Sequence, residues 1–543
     1  MIRSTCVAAL VSTALLWGCG EQAAETPAQA RPASDLPAAA DIQPVAQTAY
    51  GSVRGAVEDG VLVFKGVRYG ADTATTRFQA PRPPEPWDGV QDALTFGNSA
   101  RQIPLGDGGG LFRSWARDPA PALSEDCLFL NVWTPALRDG GKRPVMVWFH
   151  GGGFSSGSGS STVYEGVRLA NRGDVVVVTV NHRLNQFGYL YLAQYGEQFA
   201  DSGNAGILDL VLALRWVRDN IAEFGGDPDN VMIFGESGGG AKVSVLMAMD
   251  AARGLFHRAV IQSGPRLSNL DPDTATASAQ RLVEQLGLTA ETIDQIRTMP
   301  PERIETAARA LMAAGTVPPG SGPVFDGRNF TRQPFEPDAP PQSADVPLLI
   351  GTTRTEMSLL AGARRPELFD LTWDTLPAAL RALLPNVNPD AVIDGYRALD
   401  PSLDAPALYF TAATDNGFLR GSMALADRKA ALGRAPVYYY LFDWNTPVDE
   451  GKWGAPHALE LGFVFDNVAK SASMSGVGET QQHIADMMSE SWIAFARSGD
   501  PNNGQLPHWA PYDARTRAMM VIDSTPRLAD DPRAPYLALL GGR

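Results

Sequence analysis

Ser237 stands in Gly235-Glu236-Ser237-Gly238-Gly239, a Gly-x-Ser-x-Gly stretch, which makes it a candidate nucleophile. A serine hydroxyl attacks a carbonyl only when a base takes its proton and a carboxylate orients that base. The same pattern also fits Gly153-Phe154-Ser155-Ser156-Gly157, so the surroundings must decide between the two serines. The chain has six histidines from which a base can come. His150 opens a glycine loop and shapes backbone there. His182, beside Arg183, reads as a structural hydrogen-bonder. His257 falls in a helix-to-strand link, His483 in a helical pattern near Met487 and Met488, and His508 in a turn before Trp509. His457 lies in the loop 451–458, beyond a strongly apolar run, and is the candidate base. Glu356 follows another apolar run and is the candidate acid. The chain order Ser237, Glu356, His457 is nucleophile, acid, base. The oxyanion formed by attack on a carbonyl needs backbone N–H donors. Gly238, directly after the serine, and Gly152 and Gly153, in a loop without side chains, are the candidates.

These residues need rigid elements to bring them together. Runs rich in β-branched residues at 145–149, 175–180, 231–234, 259–261, 346–350 and 437–442 have no polar interruption. Such runs suit strands buried on both faces of a mostly parallel sheet. Helical spacing appears between them, as at 206–224, where Leu208, Leu212, Trp216 and Val217 share a face. Alternating strands and helices predict an α/β fold, a large mostly parallel central sheet flanked by helices, with its site at the strand carboxyl ends. Ser237 is expected between a strand and the helix 238–249, the sharp turn that holds a nucleophile out over a helix N-terminus. Ser155 lies in a Gly- and Ser-rich loop and lacks that setting.

Several longer stretches carry a family resemblance: SEDCLFLNVWTP at 124–135, PVMVWFHGGGF at 144–154, NHRLNQFGYL at 181–190, RAVIQSG at 258–264, IGTTRTE at 350–356, HALELGFVF at 457–465 and WIAFARSGDPN at 492–502. With the segment 202–240 around the serine, they resemble the type-B carboxylesterase family, which includes cholinesterases and bacterial para-nitrobenzyl esterases. The resemblance runs from about Tyr50 to the C-terminus. It implies an α/β-hydrolase fold and a serine esterase with Ser237, Glu356 and His457 as triad. It also implies Gly152, Gly153 and Gly238 as oxyanion hole, with Glu236 supporting the substrate pocket. The triple-glycine loop resembles those of esterases that accept bulky alcohols, so crowded or aromatic esters are the expected substrates. The chain departs from the family in four places. Gly238 replaces the usual alanine, which predicts a looser elbow. Cys127 matches a bridging cysteine whose partner position falls about at Ala100, so the loop 101–124, with GDGGGLF, is expected to be an unpinned rim of the pocket. His182 stands for a usual tyrosine. Trp115 falls in the divergent loop, and the resemblance does not extend to choline recognition.

Length, charge and cysteines bound the rest. The 543 residues are 44% hydrophobic and carry a formal charge of −15, with no basic run to suit nucleic acid. Arg3 and the apolar run 6–17 read as a signal peptide over 1–18, too short to span a bilayer. Leu16-Trp17-Gly18-Cys19 resembles a lipoprotein box, with Cys19 the lipidation site and a membrane anchor. An ordinary signal cleaved after Ala28-Gln29-Ala30 is the other reading. Removing 1–18 takes away Arg3 alone and moves the charge from −15 to −16. Residues 19–47, rich in Ala, Pro and Gln, are the expected tether, and 48–543 the catalytic domain. The expected location is the bacterial cell envelope, or secretion. Cys127 is then unpaired, and no cysteine pair supports a metal site. No cofactor is expected. A hydrolase of carbamates, amides or a specific xenobiotic, and a catalytically silent binding protein, are the alternative functions.

Overall fold

The backbone of the molecule is an eleven-stranded sheet. Its strands are β1 (Ala56–Glu58), β2 (Val61–Arg68), β3 (Phe129–Thr134), β4 (Arg143–Phe149), β5 (Val176–Val180), β6 (Gly226–Glu236), β7 (Arg258–Gln262), β8 (Leu348–Thr353), β9 (Val437–Phe442), β10 (Ala518–Ile522) and β11 (Arg527–Asp530). In space they run β11-β10-β9-β8-β7-β6-β4-β5-β3-β2-β1. The seven consecutive strands β10, β9, β8, β7, β6, β4 and β5 are parallel to one another, and the pairings outside them at both ends of the sheet are antiparallel. The computed structural model describes residues 43–103, 106, 108–115, 122–316 and 318–541.

The buried strands explain the order. Every residue of β4, β5, β8 and β9 is buried, as expected of strands covered on both faces. The six apolar runs fall on β4 to β9, with ends moved by up to five residues. The antiparallel strands were harder to read. β2 carries Lys65 and Gly66 in its middle, and its register against β3 shifts between Phe64 and Val67, so its periodicity is broken. Helices α1 (Ala205–Asn220), α2 (Gly238–Met247) and α3 (Glu479–Ser498) cover the faces. The expected helix over 206–224 is α1 continued by a tighter turn at Ile221–Phe224. His483 is exposed on α3, and Trp492 on the same helix is fully buried against the sheet.

β4 lies between β5 and β6, so the chain leaves β4 to one side and returns to the other. Crevices in α/β sheets open at the carboxyl ends of strands where the order reverses like this. The glycine loop follows β4 and Ser237 follows β6.

At the N-terminal side, Val45–Thr48 is already a strand, paired with Gly51–Arg54. This strand spans the boundary expected at 47/48 between tether and catalytic domain. The expected signal peptide and Cys19 lie outside the described residues. Cys127 is buried and free. Where the resemblance puts a bridge, Ser99–Ala100 pairs with Leu123–Ser124 as a short parallel ladder. That ladder ties together the two ends of the loop expected to be unpinned. The described part of the loop is also seated: Leu111 and Trp115 are buried, and the Ser114 N–H donates to Ser473 Oγ at 2.9 Å. The expected free rim is thus corrected for 108–115.

Candidate active site

The turn after β6 bends hard. Ser237 has φ 57° and ψ −122°, a conformation that costs a non-glycine residue on the order of 1–3 kcal/mol. It is held by its own N–H, which donates to the Gln262 carbonyl at 2.8 Å at the end of β7. α2 begins at the next residue, so the serine is aimed at the positive end of a helix. Ser155, the rival serine, is exposed in a turn after the glycine loop, its N–H donating to the Gly152 carbonyl.

The glycine loop lies directly on this turn. Gly152 and Gly153 have φ of 83° and 63°, the left-handed region that side chains avoid. A Cβ on Gly238 would stand 2.1 Å from the Gly153 carbonyl oxygen and 2.4 Å from Gly153 Cα. The expectation of a looser elbow at Gly238 is thereby corrected: glycine there lets two backbones touch. As first residue of α2, Gly238 has no acceptor one turn back for its N–H. The N–H groups of Gly152 and Gly153 find no acceptor among the described residues. Three unspent donors thus border the serine.

Glu356 and His457 come from loops after β8 and β9. Glu356 is fully buried, and its Oε1 accepts the Thr353 N–H at 2.9 Å. Its Oε2 lies 2.5 Å from His457 Nδ1. The two loops are sewn together: the Thr355 N–H donates to the Ala455 carbonyl at 3.0 Å. The hydroxyls of Thr355 and Ser358 both donate to the Trp453 carbonyl, at 3.0 and 2.6 Å.

The far nitrogen of the imidazole shows a difference from the expected relay. Nε2 lies 3.1 Å from Glu236 Oε1, an ion-pair contact whose angle does not make a hydrogen bond. The Ser237 hydroxyl has no hydrogen bond among the described residues. Contacts of this kind are often loose without substrate and tighten when the substrate is bound. Burial disfavours the charged imidazole, but Glu236 and then Glu356 outweigh it, and the His457 pKa is pushed up to about 9. Burial raises Glu236 to about 8, against the attraction of His457. Each group therefore favours the charged form of the other across the 3.1 Å contact.

The sequence did not single out Glu460. It is fully buried, near Gln262 and the Tyr440 hydroxyl, both at 3.3 Å. Burial and the Glu356 charge raise it to about 7. The available signal was its place in HALELGFVF, three residues after His457. His150 and His182 are stacked at 4.8 Å, and each Nδ1 lies 2.9 Å from a backbone carbonyl, Gly151 and Arg183 respectively. A cavity of about 680 Å³ opens beside Thr355 and Trp453, but Ser237 does not line it. No metal-binding cluster occurs among the described residues.

Residues 42–539 match the sequence profile described as the carboxylesterase family. The chain is 36% identical to the para-nitrobenzyl esterase of Bacillus subtilis over 497 residues, covering 90% of this chain and 97% of that protein. The crystal structure of the Geobacillus stearothermophilus carboxylesterase EST55 at pH 6.2 superposes with a TM-score of 0.78 at 39% identity, covering 91% of this chain and 99% of that one. An esterase of Clostridium hathewayi, described as able to hydrolyse aliphatic aromatic polyesters, superposes with a TM-score of 0.78 at 33% identity, covering 92% and 98%.

Proposed function

The chain belongs to the carboxylesterase family, and on that premise we propose that it hydrolyses carboxylic esters through an acyl-serine intermediate. Neutral His457 takes the Ser237 proton at Nε2 as Oγ bonds to the ester carbonyl carbon. Glu356 keeps the imidazole oriented and stabilises the imidazolium that forms. The carbonyl electrons move onto oxygen, which the N–H groups of Gly152, Gly153 and Gly238 receive. Collapse expels the alcohol, which takes the proton back from His457. Water repeats the sequence on the acyl-serine and releases the acid. Glu236, beside Nε2, supports the pocket and biases the charge on His457.

The observation that carries this reading is the 2.5 Å contact of His457 Nδ1 with Glu356, from loops pinned to one another, at the sheet edge where Ser237 is held in its strained turn. Crowded or aromatic esters are the proposed substrates. The names of the B. subtilis and C. hathewayi relatives support that choice. Export and a lipid anchor on Cys19 are also proposed, from the apolar run and Cys19 alone. Metabolic labelling with a fatty-acid probe, lost on Cys19→Ala, tests the anchor.

The activity test uses a soluble form beginning after Cys19, a fluorophosphonate probe and short p-nitrophenyl esters. The expected result is a label on Ser237 by peptide mass spectrometry, with turnover abolished in Ser237→Ala. A folded wild type that neither labels nor turns over overturns the proposal.

A further inference from the structure

Lys242 lies five residues after Ser237 on α2, and its side chain is fully buried. Its Nζ donates to the His150 carbonyl at 2.8 Å and stands 5.7 Å from the centre of the Phe154 ring. His150 and Phe154 are the two residues that bracket Gly151, Gly152 and Gly153. One side chain therefore touches both ends of the glycine loop.

A cation is an expensive way to fill a core, since a methionine of similar length would pack there without losing hydration. The surroundings of Lys242 do little to cancel the charge. From the end of β4 comes His150, and from the loop after β5 come His182 and Arg183. Burial, followed by the Lys242 charge, holds both imidazoles well below their ordinary range, and Arg183 is spent on Asp209. From beyond β7 comes Arg266, another cation, 5.0 Å from the Phe154 ring. Glu236 on β6 is the carboxylate that favours the charge on Lys242, and among the described residues no ion pair joins the two. Burial draws the Lys242 pKa down to about 7, and negative charge nearby acts in the opposite direction, as Glu236 does.

Accepting the esterase reading on which this rests, we propose that Lys242 is a positioning residue for ester hydrolysis. Its ammonium holds the glycine loop between the His150 carbonyl and the Phe154 ring so that the loop N–H groups face the oxyanion, and it places positive charge beneath that oxyanion. The gain comes in the transition state and not in substrate binding, because the uncharged ester carbonyl has little to offer a cation.

The test compares wild type with Lys242→Met, which keeps the volume, and Lys242→Gln, which keeps a donor for His150 without the charge. The readouts are kcat and KM on a p-nitrophenyl ester, the melting temperature, and the affinity of an alkyl trifluoromethyl ketone. That ketone adds Ser237 Oγ and presents the oxyanion itself. The expected result is a folded Lys242→Met whose kcat falls roughly 10- to 100-fold with KM nearly unchanged. Its ketone affinity should fall by a similar factor, and Lys242→Gln should regain part of both. Unchanged kcat and ketone affinity in folded Lys242→Met overturn the inference. Loss of folding in both variants also overturns it, because the lysine then serves packing alone. A wild type that neither turns over ester nor binds the ketone fails the esterase reading itself, whereas an active wild type isolates the question to Lys242.

Discussion

With Glu236 ionised 3.1 Å from Nε2, His457 holds a proton that it must shed before it can accept one from Ser237. The sign of the resulting pH effect follows directly. A negative charge beside an imidazole stabilises the imidazolium and raises its pKa. Replacing Glu236 with Gln removes that charge, so the His457 pKa falls from about 9 and the base is free at lower pH. The acid limb of the kcat/KM profile is expected to move down by about 1–2 pH units in Glu236→Gln, read from a p-nitrophenyl ester across pH 5–10. An unmoved limb would mean that Glu236 is already neutral in the working enzyme. At this scale the sequence named Ser237, Glu356, His457 and the three glycines. The neighbours Lys242 and Glu460 stayed hidden, because a lysine five residues along a helix, or a glutamate three after a histidine, has no pattern that separates a buried charge from a solvated one.

Elements decide the geometry of those residues. The turn between β6 and α2 is closed over the glycine loop, and a Cβ on Gly238 would meet Gly153 backbone at 2.1 Å. Backbone cannot rotate away as a side chain can, so Gly238→Ala must push the loop. A displacement near 1 Å at a catalytic donor costs roughly up to 100-fold in rate. Gly238→Ala is accordingly expected to stay folded and lose kcat by about 10- to 100-fold, with a crystal structure showing Gly153 moved. Retained kcat would mean that the loop yields at no cost. The base loop gives a second test. Thr355 and Ser358 both donate to the Trp453 carbonyl, four residues before His457. Thr355→Val with Ser358→Ala leaves that carbonyl unpaired, a loss of about 1–3 kcal/mol of stability by denaturant titration, with kcat falling as His457 loses its seat. Strands β4 to β9 were legible as apolar runs, whereas β1 and β11 are short edge strands and β2, next to β1, is interrupted at Lys65 and Gly66.

At the scale of the whole molecule, a buried ion pair holds the crossover helix α1 to the sheet. Arg183, after β5, meets Asp209 on α1 with Nη2 to Oδ1 at 2.6 Å, side chains 3% and 0% exposed. Asp209 also accepts the Arg183 N–H at 2.9 Å. Asp209→Ala strands a guanidinium in the core and is expected to cost about 3–5 kcal/mol in urea unfolding. A cost under 1 kcal/mol would show that water reaches the site. Cys127 reports on the same packing. It is fully buried, and burial pushes its thiol pKa well up. Alkylation of the Cys127 peptide is expected to be negligible in native protein and complete in denaturant, whereas ready labelling of the native state would show that the sheet edge opens locally.

The amino-acid order by itself determined the six strands β4 to β9, the sharp turn at Ser237 and which side chains follow the strand ends. Those features are local: burial periodicity and turn chemistry are written within a few residues of one another. The tertiary structure alone decided the partners. Glu356 and His457 are 101 residues apart, and they meet only because β8 and β9 are neighbours in the sheet. Lys242 reaches the glycine loop because β6 and β4 are neighbours, and Glu236 reaches Nε2 across two intervening strands because the loop after β9 folds back over the sheet's carboxyl edge. Charge is inexpensive in water and costly in a core, so what Glu236, Glu460 and Lys242 do was settled by where folding put them.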